Sequence, residues 1–299
     1  MSKELLVVFD IDETLIHFIS SRYADLYLNL PEETKNQFDV VKEGNDIILI
    51  RPYLKQLFDF FKRKSNIKVA LWTYSERDYA QDIKSILTNK FNLDEDFFLF
   101  AYGAEDMTNE DGDEDDYPKN LEKVYTNFPS FNVFNTFIVD DAPGNIKHRI
   151  NKKNCLLIQP FAPFGVDKVR RDLGEEAIQN SLNDTILEDV QKISNVVFAD
   201  IDGCSVEDAE DSFTSEHVFS KKRIERMGLN KLLKKYTKPP IHELLTVGNP
   251  RQSNEFVMVG GKKKSMKKKK KKTIMKNKRT LKKRSMKKKE KIEAPNIRN

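Results

Sequence analysis

The first apolar positions of the chain, Leu5-Leu6-Val7-Val8-Phe9, form an unbroken run with no polar alternation. A strand buried on both faces of a parallel sheet has this pattern, and the run ends at acids. From Arg51 to Lys64 the period changes. Leu54, Leu57, Phe58 and Phe61 fall at i, i+3, i+4 and i+7 behind Pro52, which predicts a helix with one apolar face. A second buried strand is expected at Ile67 to Trp72, then a helix from Asp78 to about Lys90, then short strands at Phe97 to Ala101, Thr136 to Val139 and Leu156 to Ile158. This alternation implies an α/β fold around a parallel sheet.

Between the first strand and Arg51, residues Ile16 to Ile50 mix Phe18, Tyr23, Tyr27 and Leu30 with alternating Ile47 and Leu49, which predicts a small β insertion. Further on, Ile178, Leu182, Ile186, Val190 and Ile193 lie on one face of a single helix predicted over Glu175 to Val197. A shorter basic amphipathic helix is predicted from Lys221 to Tyr236, and the Pro239-Pro240 break and a linker lead to Gly260-Gly261.

Charge divides the chain at that linker. Of 52 Lys and Arg, 20 lie between Lys262 and Asn299 against two acids, Glu290 and Glu293, so the net charge of +5 joins an acidic body to a tail near +18. The tail is too uniformly charged to fold alone. The expected organisation is a catalytic domain at 1–165, a helical extension with an acidic loop at 166–236, a linker at 237–261 and a disordered lysine-rich tail at 262–299. Segment 262–291 suits nonspecific contact with nucleic acid, since lysines release counterions from phosphates without reading sequence, and no aromatic residue within it offers base stacking. A nuclear address and a solubilising tail fit the same composition. Cys155 and Cys204 have no ligand spacing, the Leu5 to Phe9 run is short for a secretory leader, and no stretch approaches a membrane span. An intracellular monomer, nuclear or cytoplasmic, with no membrane contact, is the expectation.

In open parallel sheets the reactive groups collect beyond the carboxyl ends of the strands. Asp10 and Asp12 follow the first strand, Thr73 and Ser75 the second, and Asp140 and Asp141 follow Thr136 to Val139. Such a set suits the hydrolysis of phosphate monoesters. Asp10 can attack phosphorus and divide one hard displacement into two. Asp12, two residues on, can protonate the departing oxygen and later deprotonate water. A hard divalent cation, magnesium, would let a phosphate approach these acids, with Asp140 as an added ligand.

The stretch Val8-Phe9-Asp10-Ile11-Asp12-Glu13-Thr14-Leu15 resembles the first motif of haloacid dehalogenase superfamily phosphatases, in the branch of RNA polymerase II C-terminal-domain phosphatases and NLI-interacting-factor-like proteins. Arg51-Pro52, Leu71-Trp72-Thr73-Tyr74-Ser75, Lys119-Asn120-Leu121 and Val139-Asp140-Asp141 are similar to that branch's later elements, in order, over residues 4 to 165. The resemblance implies a Rossmann-like sheet flanked by helices, with a small β insertion beside an open site. It implies an aspartyl-phosphate intermediate and a phosphoserine or phosphothreonine protein as substrate. Asp10, Asp12, Thr73 and Lys119 would be catalytic, Thr14, Thr73, Tyr74 and Arg51 would meet the substrate, and Asp10, Asp12, Asp140 and Asp141 would hold Mg²⁺.

Several alternatives stay open. Lys123 competes with Lys119 as the active-site lysine, Asp141 with a turn-capping role, and Thr73 and Ser75 with helix capping. The acid-rich Gly103 to Tyr117 departs from the branch. Its Asn109-Glu110-Asp111-Gly112-Asp113 lacks the ligand alternation of a calcium loop. Val196 to Gly203 imitates the first motif and is read as a decoy, since no further motif follows it. A polynucleotide 3′-phosphatase and a noncatalytic binding module are the competing functions.

Overall fold

A computed structural model describes residues 4–107, 119–145, 151–164, 175–203 and 216–234. The tail, the linker, most of the acidic loop and Tyr236 lie outside the described residues. The elements in chain order are β1 Leu5–Phe9, β2 Ile16–Ile19, α1 Asp25–Leu28, α2 Glu32–Lys35, β3 Asp39–Glu43, β4 Asp46–Ile50, α3 Leu54–Arg63, β5 Ile67–Trp72, α4 Arg77–Phe91, β6 Phe98–Tyr102, α5 Leu121–Asn127, β7 Thr136–Asp140, β8 Cys155–Leu157, α6 Glu175–Leu182, α7 Ile186–Gly203, α8 Lys221–Arg226 and α9 Asn230–Leu233.

Every residue of β1 is buried because the strand occupies the middle of a five-stranded sheet ordered β6-β5-β1-β7-β8, with all pairs parallel. The register places the chemistry. Phe9 lies opposite Leu71 on one side and Val139 on the other, so the residues that follow these three strands emerge at one edge. The Asp10 N–H donates to the Val139 carbonyl at 2.9 Å, and the Thr73 N–H to that of Tyr102 at 3.0 Å, carrying the alignment past the strand ends.

The insertion is a second, antiparallel sheet ordered β2-β4-β3. Its central strand β4 is buried on both faces. Ile48 and Ile50 join the main core, while Ile47 and Leu49 join a smaller one with Ile19, Tyr27, Phe38, Phe161 and Phe164. Period-2 alternation here separates two cores rather than core from solvent.

The single helix expected over 175–197 is two helices. Ile178 and Leu182 of α6 pack on the smaller core, whereas Leu187, Val190, Ile193 and Val197 of α7 enter the main one, and no straight helix serves both. The chain turns at Asp184, whose Oδ1 accepts the Ile186 N–H at 2.8 Å and caps α7. An i+4 spacing running through 182 and 186 conceals this break. Likewise the basic helix expected from Lys221 is divided into α8 and α9 by Gly228, whose φ of +69° suits glycine.

The sequence resembling a repeated first motif at 196–203 lies within α7, not at a strand end. Its Asp200 takes Arg223 Nε at 2.9 Å and Arg226 Nε at 3.0 Å. Arg223 is buried and also donates to the Phe134 carbonyl at 2.6 Å, fastening α7 and α8 to the loop before β7.

Two outcomes follow for stability. Burial pushes the Asp200 carboxyl upward, but the two arginines outweigh it and hold it below its ordinary value. Its folded-state affinity for protons is thus lower than its unfolded one, so its contribution is present above the unfolded pKa, near 4, and is lost as pH falls through the folded value. Asp200→Ala strands a buried guanidinium and should cost about 3 kcal/mol in denaturant unfolding at pH 7, and less at pH 3. Gly103 has extended backbone angles, yet a Cβ there would meet the Arg77 nitrogen at 2.3 Å and its Cα at 2.5 Å. Gly103→Ala should displace the start of α4 and lower the thermal midpoint by several degrees, about 1–3 kcal/mol.

Candidate active site

At the sheet edge Lys119 is fully buried, and its ammonium donates to Asp10 Oδ1 at 2.5 Å and to Asp140 Oδ2 at 2.7 Å. The lysine is held through its backbone. Its N–H donates to the Asn145 carbonyl at 2.7 Å, and its carbonyl accepts from Asn151 Nδ2, whose Oδ1 in turn takes the Leu121 N–H at 3.1 Å. Asn120 caps α5 by accepting the Glu122 N–H at 2.9 Å. This start to the helix points Lys119 inward, whereas Lys123, one turn on, pairs with Asp106 at 2.9 Å. Of the two lysines, the fold brings only Lys119 to Asp10.

Asp12 lies in a separate cradle. Its Oδ2 accepts the Thr73 hydroxyl at 3.2 Å and its Oδ1 the Tyr79 hydroxyl at 2.5 Å. Thr73 Oγ1 also accepts the Ser75 N–H at 3.1 Å, so this hydroxyl both shapes the turn into α4 and holds Asp12. Tyr79 escaped the sequence reading, since with Ile83 and Ile86 it looks like part of an ordinary helix stripe.

The loop from Asp12 to Leu15 folds back through Glu13, whose φ of 60° is unusual for a residue bearing a Cβ. Buried His17 donates from Nδ1 to Glu13 Oε2 at 2.8 Å. Thr14 is buried, and its hydroxyl donates to Asp141 Oδ1 at 3.4 Å. Arg51, also buried, spends its guanidinium on the carbonyls of Glu13, Thr14 and Gln159 and on Asp184. Among the four residues expected to meet a substrate, Thr14, Thr73 and Arg51 thus have protein partners, and Tyr74, 50% exposed, is the most open.

The electrostatics follow from crowding. Asp10, Asp140 and Asp141 offer carboxylate oxygens within 4.8 Å of one another. Asp140 is anchored through Oδ1, which accepts the Ala142 N–H at 2.8 Å. Burial raises the Asp10 carboxyl well above the ordinary carboxylate value against the pull of Lys119, with Asp140 and Asp12 adding repulsion. Asp141 is pushed to about 7 by burial, then by Asp140 and Glu13. Burial lowers the Lys119 ammonium's proton affinity, but Asp10 and Asp140 more than reverse this, so it stays charged. Three carboxylates facing one ammonium are short of positive charge, and an all-oxygen donor set is what a hard divalent cation prefers. Asp10, Asp140 and Asp141 therefore fit a magnesium ion. Asp12's carboxylate, turned to Thr73 and Tyr79, stands outside that group. Burial raises Asp12 as well, against the hydrogen bonds of Tyr79 and Thr73.

Among solved structures, the RNA polymerase II CTD phosphatase Fcp1 is similar at 16% identity with a TM-score of 0.49, covering 78% of this chain and 72% of that one. A fission yeast Fcp1 variant bound to beryllium fluoride gives 16% identity, a TM-score of 0.47 and the same coverage. A putative β-phosphoglucomutase from Thermotoga maritima gives 15% identity and a TM-score of 0.32 over 62% of this chain and 99% of its own. No curated protein matches the chain. The sequence of residues 5–197, which holds both sheets and every group of the site, matches the family described as NLI interacting factor-like phosphatase. The chain belongs to the NLI interacting factor-like phosphatase family, with an α/β fold of the haloacid dehalogenase type.

Proposed function

We propose that this phosphatase is a magnesium-dependent protein phosphatase that hydrolyses phosphoserine or phosphothreonine through an aspartyl-phosphate on Asp10. The observation that carries this reading is the division between two neighbouring carboxylates, Asp10 bridged to Asp140 by Lys119 and Asp12 held by Tyr79 and Thr73. Environments that separate paired acids in this way separate their roles.

In the first step an Asp10 oxygen attacks phosphorus while the bond to the serine or threonine oxygen breaks, and Asp12 gives that oxygen its proton. In the second, Asp12 takes a proton from water, whose oxygen attacks phosphorus and releases inorganic phosphate and the Asp10 carboxylate. Lys119 holds one charge beside Asp10 throughout. A magnesium ion on Asp10, Asp140 and Asp141 would supply the charge neutralisation that a phosphate dianion needs near these acids.

Alkyl leaving groups are poor and depend on a proton donor. The raised pKa of buried Asp12 keeps that donor protonated further toward neutral pH, which supports serine and threonine esters. Protein as the substrate is supported by the insertion, a three-stranded sheet packed on the core, and by Tyr74 exposed next to Thr73. The lysine-rich segment 262–291 would hold the enzyme to nucleic acid through phosphate contacts.

Aryl phosphate hydrolysis should require magnesium and disappear in Asp10→Asn. Activity equal to wild type in that variant, or none in wild type, would move the assignment to a binding module. A phosphoserine peptide should be cleaved in preference to a 3′-phosphorylated oligonucleotide at equal concentration, and the reverse order would favour the nucleic-acid substrate. In single-turnover experiments Asp12→Asn should slow the peptide by about 10²-fold or more and the aryl phosphate, with its better leaving group, by less. Tyr79→Phe removes one hydrogen bond to Asp12 and should lower kcat about tenfold. The full chain should bind duplex DNA with an affinity that falls steeply between 50 and 200 mM salt, on the order of 10³-fold, and removing 262–299 should abolish it.

A further inference from the structure

We propose that Asp184, in the turn between α6 and α7, is a positioning residue for the active site, acting through Arg51 on the backbone that carries Asp12 and Thr14. The inference rests on the phosphatase reading for its effect on rate, and on geometry alone for its effect on the loop.

Arg51 directly follows β4 and is buried. Its Nη1 donates to the carbonyls of Glu13 at 3.2 Å and Thr14 at 3.0 Å, its Nη2 donates to that of Gln159 at 2.8 Å, and the guanidinium lies 5.8 Å from the Phe161 ring centroid. The two peptide units it grips are those that bend back at Glu13, φ 60°, and the Glu13 carbonyl also accepts the Phe161 N–H at 2.6 Å. A non-glycine residue in this conformation persists only where its surroundings hold it.

Carbonyl dipoles alone are poor company for a buried cation. Its counter-ion is Asp184, 133 positions away in sequence, whose Oδ2 sits in the fork of Nε at 2.8 Å and Nη2 at 2.7 Å while Oδ1 caps α7. The carboxylate fixes the plane of the guanidinium, and the guanidinium fixes the two carbonyls. Asp12 stands immediately before them and Thr14 carries the second, with its hydroxyl on Asp141. A displacement of about 1 Å at such groups is enough to cost 10²-fold in rate.

Four full-length proteins test this: wild type, Asp184→Asn, the paired Arg51→Met with Asp184→Leu, and Asp200→Asn, which breaks the other buried arginine pair at α7 and α8. Each is measured for thermal midpoint, for kcat and KM on an aryl phosphate with magnesium below all the midpoints, and for hydrogen exchange at the Glu13, Leu15 and Ile16 amides. Asp184→Asn should lower kcat about tenfold or more with KM changed less than about threefold, and speed exchange at those amides. Asp200→Asn should lower the midpoint comparably and leave kcat within about twofold. The apolar pair should regain midpoint relative to Asp184→Asn without regaining kcat, because it restores packing but no donor to the two carbonyls. Wild-type kcat in the apolar pair, or equal losses of kcat in Asp184→Asn and Asp200→Asn, would reduce Asp184 to a structural role. An inactive wild type would overturn the phosphatase reading instead. The amide exchange would then decide the loop question, with unchanged rates in Asp184→Asn overturning the inference.

Discussion

Excess negative charge in a space largely closed to water is the constraint on which the rest of this structure depends. Asp10, Asp140 and Asp141 converge there, and among the described residues Lys119 is the ammonium that meets the first two directly. Burying an ammonium or a carboxylate costs several kcal/mol, which pairing offsets only when the geometry is good. The surrounding fold supplies that geometry. The parallel register brings Asp10 and Asp140 out side by side, Asn151 and Asn145 fix the lysine's backbone, and the Ala142 N–H holds Asp140 from the far side. The result is held together by charge yet still attracts more positive charge, which is the condition for recruiting a cation and a phosphate.

The single residue, Ile11, that separates Asp10 from Asp12 spans a change of environment. Asp10 sits among other ions and Asp12 among hydroxyls. Burial raises the proton affinity of both; at Asp10 the Lys119 ammonium opposes it while Asp140 and Asp12 add to it, and at Asp12 the hydrogen bonds of Tyr79 and Thr73 oppose it. Tyr79 makes this division possible, because its phenol reaches Asp12 from the first turn of α4 without bringing a charge.

What was legible in the sequence was whatever one strand or one helix decides by itself. β1 is a continuous apolar run, β5 is interrupted only at Lys68 and β7 carries Phe137 to Val139, and the polar residues at their ends sit at a common edge for a reason local to each strand. The insertion also announced itself by alternation. Contacts between distant elements were hidden. Tyr79 and Asn151 are unremarkable in their own segments. Arg51 was implied as a substrate group by the resemblance of Arg51-Pro52 to the branch, and the structure places its guanidinium on four protein partners. The Asn120-Leu121 context favoured Lys119 over Lys123 in the sequence, and the direction of the first turn of α5, which depends on Asn120 and Asn151 together, brings it to Asp10.

The break at Asp184, where helical periodicity misled, and the imitation motif at 196–203, a decoy, both contain an aspartate paired with a buried arginine from elsewhere in the chain. Apolar contacts let α6 and α7 slide or merge at small cost, since an i+4 stripe continues across 182 and 186. An ion pair in a low-dielectric setting does not tolerate this. Arg51 without Asp184, or Arg223 without Asp200, would be a stranded charge, so each pair excludes arrangements that the hydrophobic pattern alone permits. The pairs differ in what lies on the other side of the arginine. Behind Arg223 is the Phe134 carbonyl, in the approach to β7. Behind Arg51 are the carbonyls of Glu13 and Thr14, in the loop of the reactive carboxylates. A device that fixes helix placement in one pair thus reaches the chemistry in the other, which makes the C-terminal helices part of the site's geometry although none of their side chains belongs to its carboxylate cluster.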